Sequence, residues 1–149
     1  MPADEAFLVE VYASTRPLEL ATLAGAPEAQ AAFARSQSSF QHRAYSQLYP
    51  HAAFDLVLVD GTPVGRLYVD RGEAEIRLVD ITLLPRYRGS GLGSGLLGSL
   101  QAEAAQRGVP LALHVDVANR ARRLYARLGF VELAATEVHV LMRWTPPLR

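Results

Sequence analysis

Short apolar runs alternate along the chain with longer stretches in which apolar residues recur every third or fourth position, and this pattern predicts a mixed α/β fold. The apolar runs predict seven strands, over residues 7–12, 54–59, 64–69, 75–84, 111–117, 130–133 and 138–144. The helical spacing predicts four helices, over residues 17–23, 27–49, 90–107 and 119–128. The resulting order, β-α-α-β-β-β-α-β-α-β-β, is typical of a mixed central sheet flanked by helices.

Composition narrows the class of protein. The 149 residues suit a single domain, 1–149, and half of them are apolar. The formal net charge is zero, so neither a nucleic acid nor a membrane is an expected partner. The chain has no cysteine, which excludes a thiolate nucleophile and a cysteine zinc site, and its four histidines lack metal-ligand spacing, so no metal is expected. Because the N-terminus is acidic and does not resemble a signal peptide, we expect a cytoplasmic protein.

The glycine-rich segment after the third long strand carries the clearest functional signal. Pro85 ends the apolar run, and Gly89, Gly91 and Gly93 then lead into a predicted helix. Free backbone N–H groups at a helix N-terminus, without side chains in the way, form a site for a phosphate. Arg88 adds positive charge at the rim. The sequence therefore predicts a phosphate-binding turn here.

Two common phosphate-binding patterns do not fit this turn. A nucleoside-triphosphatase P-loop requires a lysine after its last glycine, and this chain has no lysine. A dinucleotide fingerprint G-x-G-x-x-G is present at residues 93–98, but it falls inside the predicted helix and the chain is short for two mononucleotide-binding halves.

Two blocks together resemble a known family. Residues 88–93, Arg-Gly-Ser-Gly-Leu-Gly, are similar to the acetyl-CoA signature R/Q-x-x-G-x-G/A of the GNAT superfamily of N-acetyltransferases. Residues 119–130, Asn-Arg-Ala-Arg-Arg-Leu-Tyr-Ala-Arg-Leu-Gly-Phe, resemble a second segment of that superfamily, which begins at an asparagine and ends in L-Y-x-x-L-G-F. The resemblance implies the GNAT fold, with the element order given above, and acetyl-CoA as the donor.

The resemblance also implies where acetyl-CoA binds. In the superfamily, the amides of the glycine turn hold the pyrophosphate, and the pantetheine arm lies along the preceding strand. Asn119 begins a predicted helix, where it serves as N-cap, as a cofactor contact or as both. The cofactor-binding residues implied for this chain are Ile81, Thr82, Leu83, Arg88, Gly89, Ser90, Gly91, Leu92, Gly93, Ser94 and Asn119.

Three residues are candidates for catalysis. Tyr125 matches a tyrosine that serves as general acid in many members of the superfamily, and its alternative role is packing. His114 stands where some relatives carry a glutamate base, and its alternative role is that of a half-buried strand histidine. Asp80, inside an apolar strand, is a base relay, a ligand for the acceptor amine or a partner of a nearby arginine. Where other relatives carry a base before the turn, this chain has Arg77, and many relatives deprotonate the amine through water.

The expected function is acetyl transfer from acetyl-CoA to a primary amine, which is a small amine, an amino acid or a peptide N-terminus. Since the chain has no cysteine to carry the acetyl group, direct transfer in a ternary complex is expected, in a monomer or homodimer. The alternative is a non-catalytic module that binds acetyl-CoA and regulates a partner.

Overall fold

The computed structural model describes residues 7, 8, 10, 11 and 27–147. Between residues 27 and 147, the elements are α1 (Pro27–Leu48), β1 (Ala53–Val59), β2 (Thr62–Arg71), β3 (Ile76–Leu83), α2 (Leu92–Arg107), β4 (Leu111–Asp116), α3 (Ala121–Arg127), β5 (Val131–Ala135) and β6 (His139–Trp144). A short 3-10 helix, Pro85–Tyr87, lies between β3 and α2. None of the helices in the described ranges is long and apolar enough to cross a membrane.

The strands form one mixed sheet in the order β1-β2-β3-β4-β6-β5. Strands β3 and β4 are parallel, and the other neighbours are antiparallel. The parallel register joins residues 76–78 to residues 111–113 and then stops, although β3 continues to Leu83 and β4 to Asp116. The two strands therefore separate over the second half of their length.

Helices cover both faces of the sheet. Tyr68 on β2 packs edge-on against Tyr45 of α1, with ring centroids 5.8 Å apart, whereas its neighbour Val69 joins the core cluster that includes α2. Successive strand residues point to opposite faces, so α1 and α2 lie on opposite sides of the sheet. The main core is on the α2 side, where its fully buried side chains include Ile76, Leu97, Leu111, Leu113, Val140 and Met142.

The structure confirms the mixed fold with its sheet flanked by helices, but the strand predicted over residues 7–12 is wrong where it is described. Residues 7, 8, 10 and 11 have helical backbone, and Val11 is fully buried. Apolar residues at 7, 8 and 11 fit a helical turn as well as a strand, and periodicity does not separate the two in so short a run. The helix predicted over residues 17–23 lies outside the described residues.

One glycine that the sequence analysis did not single out holds β2 close to the end of β3. Gly65 pairs with Leu83. A Cβ at Gly65 would meet the carbonyl oxygen of Thr82 and would lie 2.7 Å from the Leu83 side chain. Only glycine allows this approach, just before the chain enters the glycine-rich turn.

We expect Gly65→Ala to lower the free energy of unfolding by about 1–3 kcal/mol, because the added methyl group must displace the backbone of β3. The control is Gly98→Ala in α2, where a Cβ meets no atom within 4 Å. Alanine there is expected to stabilise the protein by up to about 1 kcal/mol through helix propensity. Urea denaturation measures both variants, and equal stability of Gly65→Ala and wild type would contradict the argument.

Candidate active site

A cleft opens where β3 and β4 separate. The register between β2 and β3 skips Val79, which forms a bulge between Leu78 and Asp80. A bulge bends its strand and increases the local twist, and pairing with β4 ends at Leu78, the residue before it. The result is a cavity of about 310 Å³ between the two strands.

The cleft brings together residues from both faces of the sheet. Strand β3 contributes residues 78–82, and β4 contributes residues 113–116. Tyr125 reaches the cavity from α3, while Gln41 and Tyr45 reach it from α1. All three candidate catalytic side chains, Asp80, His114 and Tyr125, line this one cavity.

The 3-10 helix Pro85–Tyr87 separates the end of β3 from the glycine turn, residues 88–93. Gly89 and Gly91 have φ angles of 75° and 84°, a left-handed conformation that favours glycine. Gly93 has no such need, and a Cβ there would come no nearer than 3.8 Å to the Leu83 side chain. Protein packing thus does not explain glycine at 93, whereas a ligand that approaches the backbone would.

The amides of the turn are arranged as the sequence analysis predicted for a phosphate site. The first backbone hydrogen bond of α2 runs from the Gly95 N–H to the Gly91 carbonyl oxygen at 3.0 Å. The amides of Leu92, Gly93 and Ser94 therefore lie in the first turn of the helix, where N–H groups have no partner within the helix. The positive end of the helix dipole adds to their attraction for an anion.

Two side chains shape the same turn. The Arg88 Nε–H donates to the Leu83 carbonyl oxygen at 3.0 Å, which fixes the exposed guanidinium beside the end of β3. The Ser90 hydroxyl donates to the Tyr87 carbonyl oxygen at 2.7 Å. Ile81, Thr82 and Leu83, half-buried on β3, lead from the cleft to this turn, and β3 has no register partner in β4 over these residues.

Asn119 acts as a helix cap in this structure. Its side-chain oxygen accepts a hydrogen bond from the Ala121 N–H at 2.8 Å, at the start of α3. It also lines the cleft, so the capping role and a ligand contact are compatible.

Phe130, the residue before β5, holds Tyr125 in place. Tyr125 is 6% exposed, and its ring lies 5.6 Å from that of Phe130. Gly129, with φ of 97°, turns the chain between them, and a Cβ there would lie 3.2 Å from the Trp144 ring. Burial, and secondarily the negative charge of Asp80, raise the pKa of Tyr125 to about 12. The hydroxyl is therefore protonated and a hydrogen-bond donor at neutral pH.

Asp80 is the partner of an arginine, which was one of its three predicted roles. Its carboxylate accepts hydrogen bonds from the Arg66 Nε–H and from the Thr82 hydroxyl. Arg66 is only 4% exposed and also lies over the Tyr68 ring, 5.5 Å from its centroid. Arg66 was not among the residues predicted from the sequence, although a charged residue inside the apolar strand 64–69 was a visible signal.

His114 pairs with Arg77 and not with Asp80. The Arg77 Nη1 lies 2.8 Å from the His114 Nδ1, and Arg77 Nη2 lies 3.2 Å from Glu75 Oε2. Desolvation, then the positive charge of Arg77 and then His139, lower the pKa of His114, and Glu75 opposes them. The guanidinium of Arg77 therefore disfavours the charged form of His114.

Comparison with known proteins decides the family. The model of the acetyltransferase (GNAT) family matches residues 18–130 of this chain. The chain belongs to the GNAT family. The family segment therefore contains the glycine turn and α3, which carry the two blocks of the resemblance.

Relatives named as N-acetyltransferases share this GNAT domain. An uncharacterized N-acetyltransferase of Mycobacterium bovis is 36% identical over 131 residues, which cover 86% of this chain and 82% of that protein. The ribosomal protein bS18-alanine N-acetyltransferase of Haemophilus influenzae is 43% identical over 60 residues, 40% of this chain and 41% of that enzyme. The match thus spans less than half of the Haemophilus enzyme.

A solved structure shows the same GNAT fold over almost the whole chain. The PaiA N-acetyltransferase of Thermoplasma acidophilum, crystallised in complex with coenzyme A, superposes with a TM-score of 0.68 at 20% identity. The superposition covers 96% of this chain and 93% of that one. The chain thus has the fold of the GNAT family as well as its sequence signature.

We expect Gly93→Val to weaken binding of coenzyme A at least about tenfold, equivalent to about 1.4 kcal/mol, because its side chain occupies the space over the first amides of α2. The matched control is Gly98→Val, in the same helix and also with open space around it. Titration calorimetry measures affinity, and circular dichroism checks that both variants fold. Equal affinity in the two folded variants would show that the turn does not hold the ligand.

Proposed function

We propose that this protein transfers the acetyl group of acetyl-CoA directly to a primary amine in a ternary complex. The observation that carries the proposal is the cleft between β3 and β4. Its β3 wall comprises residues 78–82, which lead toward the glycine turn, and its other sides bear Tyr125 and His114. A donor held at the turn and an amine entering beneath α1 would meet at Tyr125.

The residues present fit acetyl-CoA. The open space over Gly93 and the first amides of α2 suit the pyrophosphate, with the Arg88 guanidinium at the rim. The edge of β3 at Ile81, Thr82 and Leu83, unpaired with β4, suits the amide groups of the pantetheine arm. When bound, acetyl-CoA supplies an acetyl group activated as a thioester.

Tyr125 is the proposed acid. During transfer the amine nitrogen bonds to the acetyl carbon, the carbon–sulfur bond breaks, one proton leaves the amine and one is needed at sulfur. Because burial keeps the Tyr125 hydroxyl protonated, it is able to donate a hydrogen bond to negative charge that develops on sulfur. The same low-polarity surroundings favour a neutral thiol over a thiolate, which helps the proton to move.

The side of the cleft under α1 suits an acceptor amine that carries further polar groups. Gln41 and Tyr45 of α1 face His114 and Asp116 of β4 across the same cavity. The bS18-alanine N-acetyltransferase relative supports a peptide N-terminus, while small amines and amino acids remain within the proposal. Transfer is direct because the chain offers no cysteine to carry the acetyl group.

The test of the proposed function is an amine panel with acetyl-CoA, in which the released thiol is measured. The panel contains peptides, free amino acids and small alkyl amines. Thiol release that depends on an amine, with formation of the acetylated product, is the expected result. Calorimetric binding of coenzyme A with no release across the panel would contradict it and would favour the non-catalytic acetyl-CoA-binding module.

We expect Tyr125→Phe to lower kcat by about 10²–10⁴-fold and to leave the KM for acetyl-CoA nearly unchanged, because the hydroxyl acts when the thiolate leaves. The control is Tyr49→Phe, which removes a hydroxyl outside the residues that line the cleft. Steady-state kinetics measures both. A small loss of kcat in a folded Tyr125→Phe protein would assign Tyr125 to packing against Phe130.

A further inference from the structure

The contact between Arg77 and His114 fixes the state of the histidine ring. A guanidinium has only donors, so at 2.8 Å from Arg77 Nη1 the His114 Nδ1 must accept. In a neutral imidazole one nitrogen accepts and the other carries the proton, which places the proton on Nε2. A protonated ring, with donors on both nitrogens, is incompatible with this contact.

Arg77 is itself held in position. Glu75 Oε2 lies 3.2 Å from Arg77 Nη2, at the start of β3, and the side chain of Arg77 is 20% exposed. The other charged or titratable groups that line the cavity with His114 are His139 of β6, Asp116 of β4, Asp80 of β3, Arg66 of β2, Tyr45 of α1 and Tyr125 of α3. The charges nearest to His114 therefore include a clamped guanidinium, which opposes protonation.

We propose that Arg77 holds His114 as a neutral Nε2–H donor that orients the acceptor, and that the acceptor is an α-amine whose proton is lost to water. The inference rests on the proposed function. It assigns Arg77 as a positioning residue and gives His114 a role different from the general base considered from the sequence. An α-amine of a peptide or amino acid amide carries a carbonyl oxygen beside the nitrogen, which is an acceptor for Nε2–H.

A site without a base at His114 discriminates among amines by their own pKa values. At pH 7 the neutral fraction of an α-amine, with pKa about 7.7–8.0, exceeds that of a lysine side chain, with pKa about 10.4, roughly 300-fold. Only the neutral form has the lone pair that attacks. Acceptors with α-amines are therefore favoured over ε-amines and over simple alkyl amines.

The tautomer is tested without any reaction, by nuclear magnetic resonance of protein labelled with ¹⁵N in its histidines. Loss of one set of signals in His114→Gln assigns the residue. We expect the Nε2–H tautomer, with a titration midpoint below the ordinary 6.5. Arg77→Met should mix the tautomers and raise the midpoint, and Arg77→Lys, which retains a charged donor, should preserve the wild-type state. An Nδ1–H tautomer of His114, or a titration midpoint that Arg77→Met does not change, would overturn the proposal that Arg77 fixes the state of His114.

The role in the reaction is tested by two substitutions of different chemistry. His114→Gln retains an N–H donor but accepts no proton at neutral pH, whereas His114→Leu removes the donor. We expect His114→Gln to lower kcat/KM much less than His114→Leu does, since one donor replaces another, and His114→Leu to raise the acceptor KM about tenfold. His51→Gln, outside the cleft, is the control. Equal losses of about 10²–10⁴-fold in both His114 variants would instead identify a base.

The acceptor class is tested by comparing alanine amide, propylamine and Nα-acetyl-lysine amide as acceptors. We expect the highest kcat/KM for alanine amide, and a rising pH limb that follows each acceptor's own amine pKa and persists in His114→Gln. A limb that disappears in His114→Gln, or a preference for the ε-amine at pH 7, would overturn the proposal. Absence of thiol release with every amine would contradict the proposed function. The nuclear magnetic resonance experiment would still test whether Arg77 fixes the tautomer of His114.

Discussion

The separation of β3 from β4 is the constraint on which the rest of the site depends. Parallel pairing over residues 76–78 and 111–113 fixes the two strands at one end, and the bulge at Val79 coincides with the point where they part. Were pairing to continue, Asp80 and His114 would lie in a closed sheet, with no volume for two substrates. The separation gives β3 an edge free of β4, opens the sheet to Tyr125 and leads toward the glycine turn.

A buried ion pair stiffens one wall of this opening. Arg66 is almost fully buried, and it pairs with Asp80 across the register between β2 and β3. Loss of one partner of such a pair costs about 3–5 kcal/mol, because the other charge remains desolvated. The Tyr68 ring lies beside Arg66 and also packs against Phe54, with centroids 4.6 Å apart. The ion pair thus belongs to the same cluster that packs Tyr45 of α1 against the sheet.

The sequence was most informative where the chemistry is local. The glycine turn could be predicted because its helix start, its positive φ angles and its proline stop all lie within about ten residues of one another, and residues so close along the chain constrain one another directly. The strand predicted over residues 7–12 was wrong where the structure describes it, because a single turn of apolar residues fits two periods. The cleft could not be predicted from the hydrophobic pattern, since strand separation depends on register.

The arginine partners of Asp80 and His114 could not be identified from the sequence, because these contacts also depend on strand register. Arg77 and His114 are 37 residues apart, and Arg66 and Asp80 are 14 apart. Each pair forms only after the strands align in the folded protein. The types of the two residues and their separation along the chain therefore do not reveal the contact. Asp80 was recognised as unusual in its apolar strand and His114 as a candidate base, yet the structure gives each an arginine, and this changes the chemistry that each is able to perform.

Because Arg66 contacts Asp80 and Arg77 contacts His114, the proposed reacting centre has hydrogen-bond donors and little uncompensated charge. Burial keeps Tyr125 protonated, and Arg77 keeps His114 neutral, so the two side chains closest to the proposed chemistry offer an O–H and an N–H. The negative charge of Asp80 is matched by Arg66. Such a centre stabilises negative charge on oxygen and sulfur better than it stabilises an ammonium ion. The proposed acceptor is consequently an amine that enters without its proton, and in the proposed reaction donors fixed in advance by packing do not need to reorganise when the acetyl group moves.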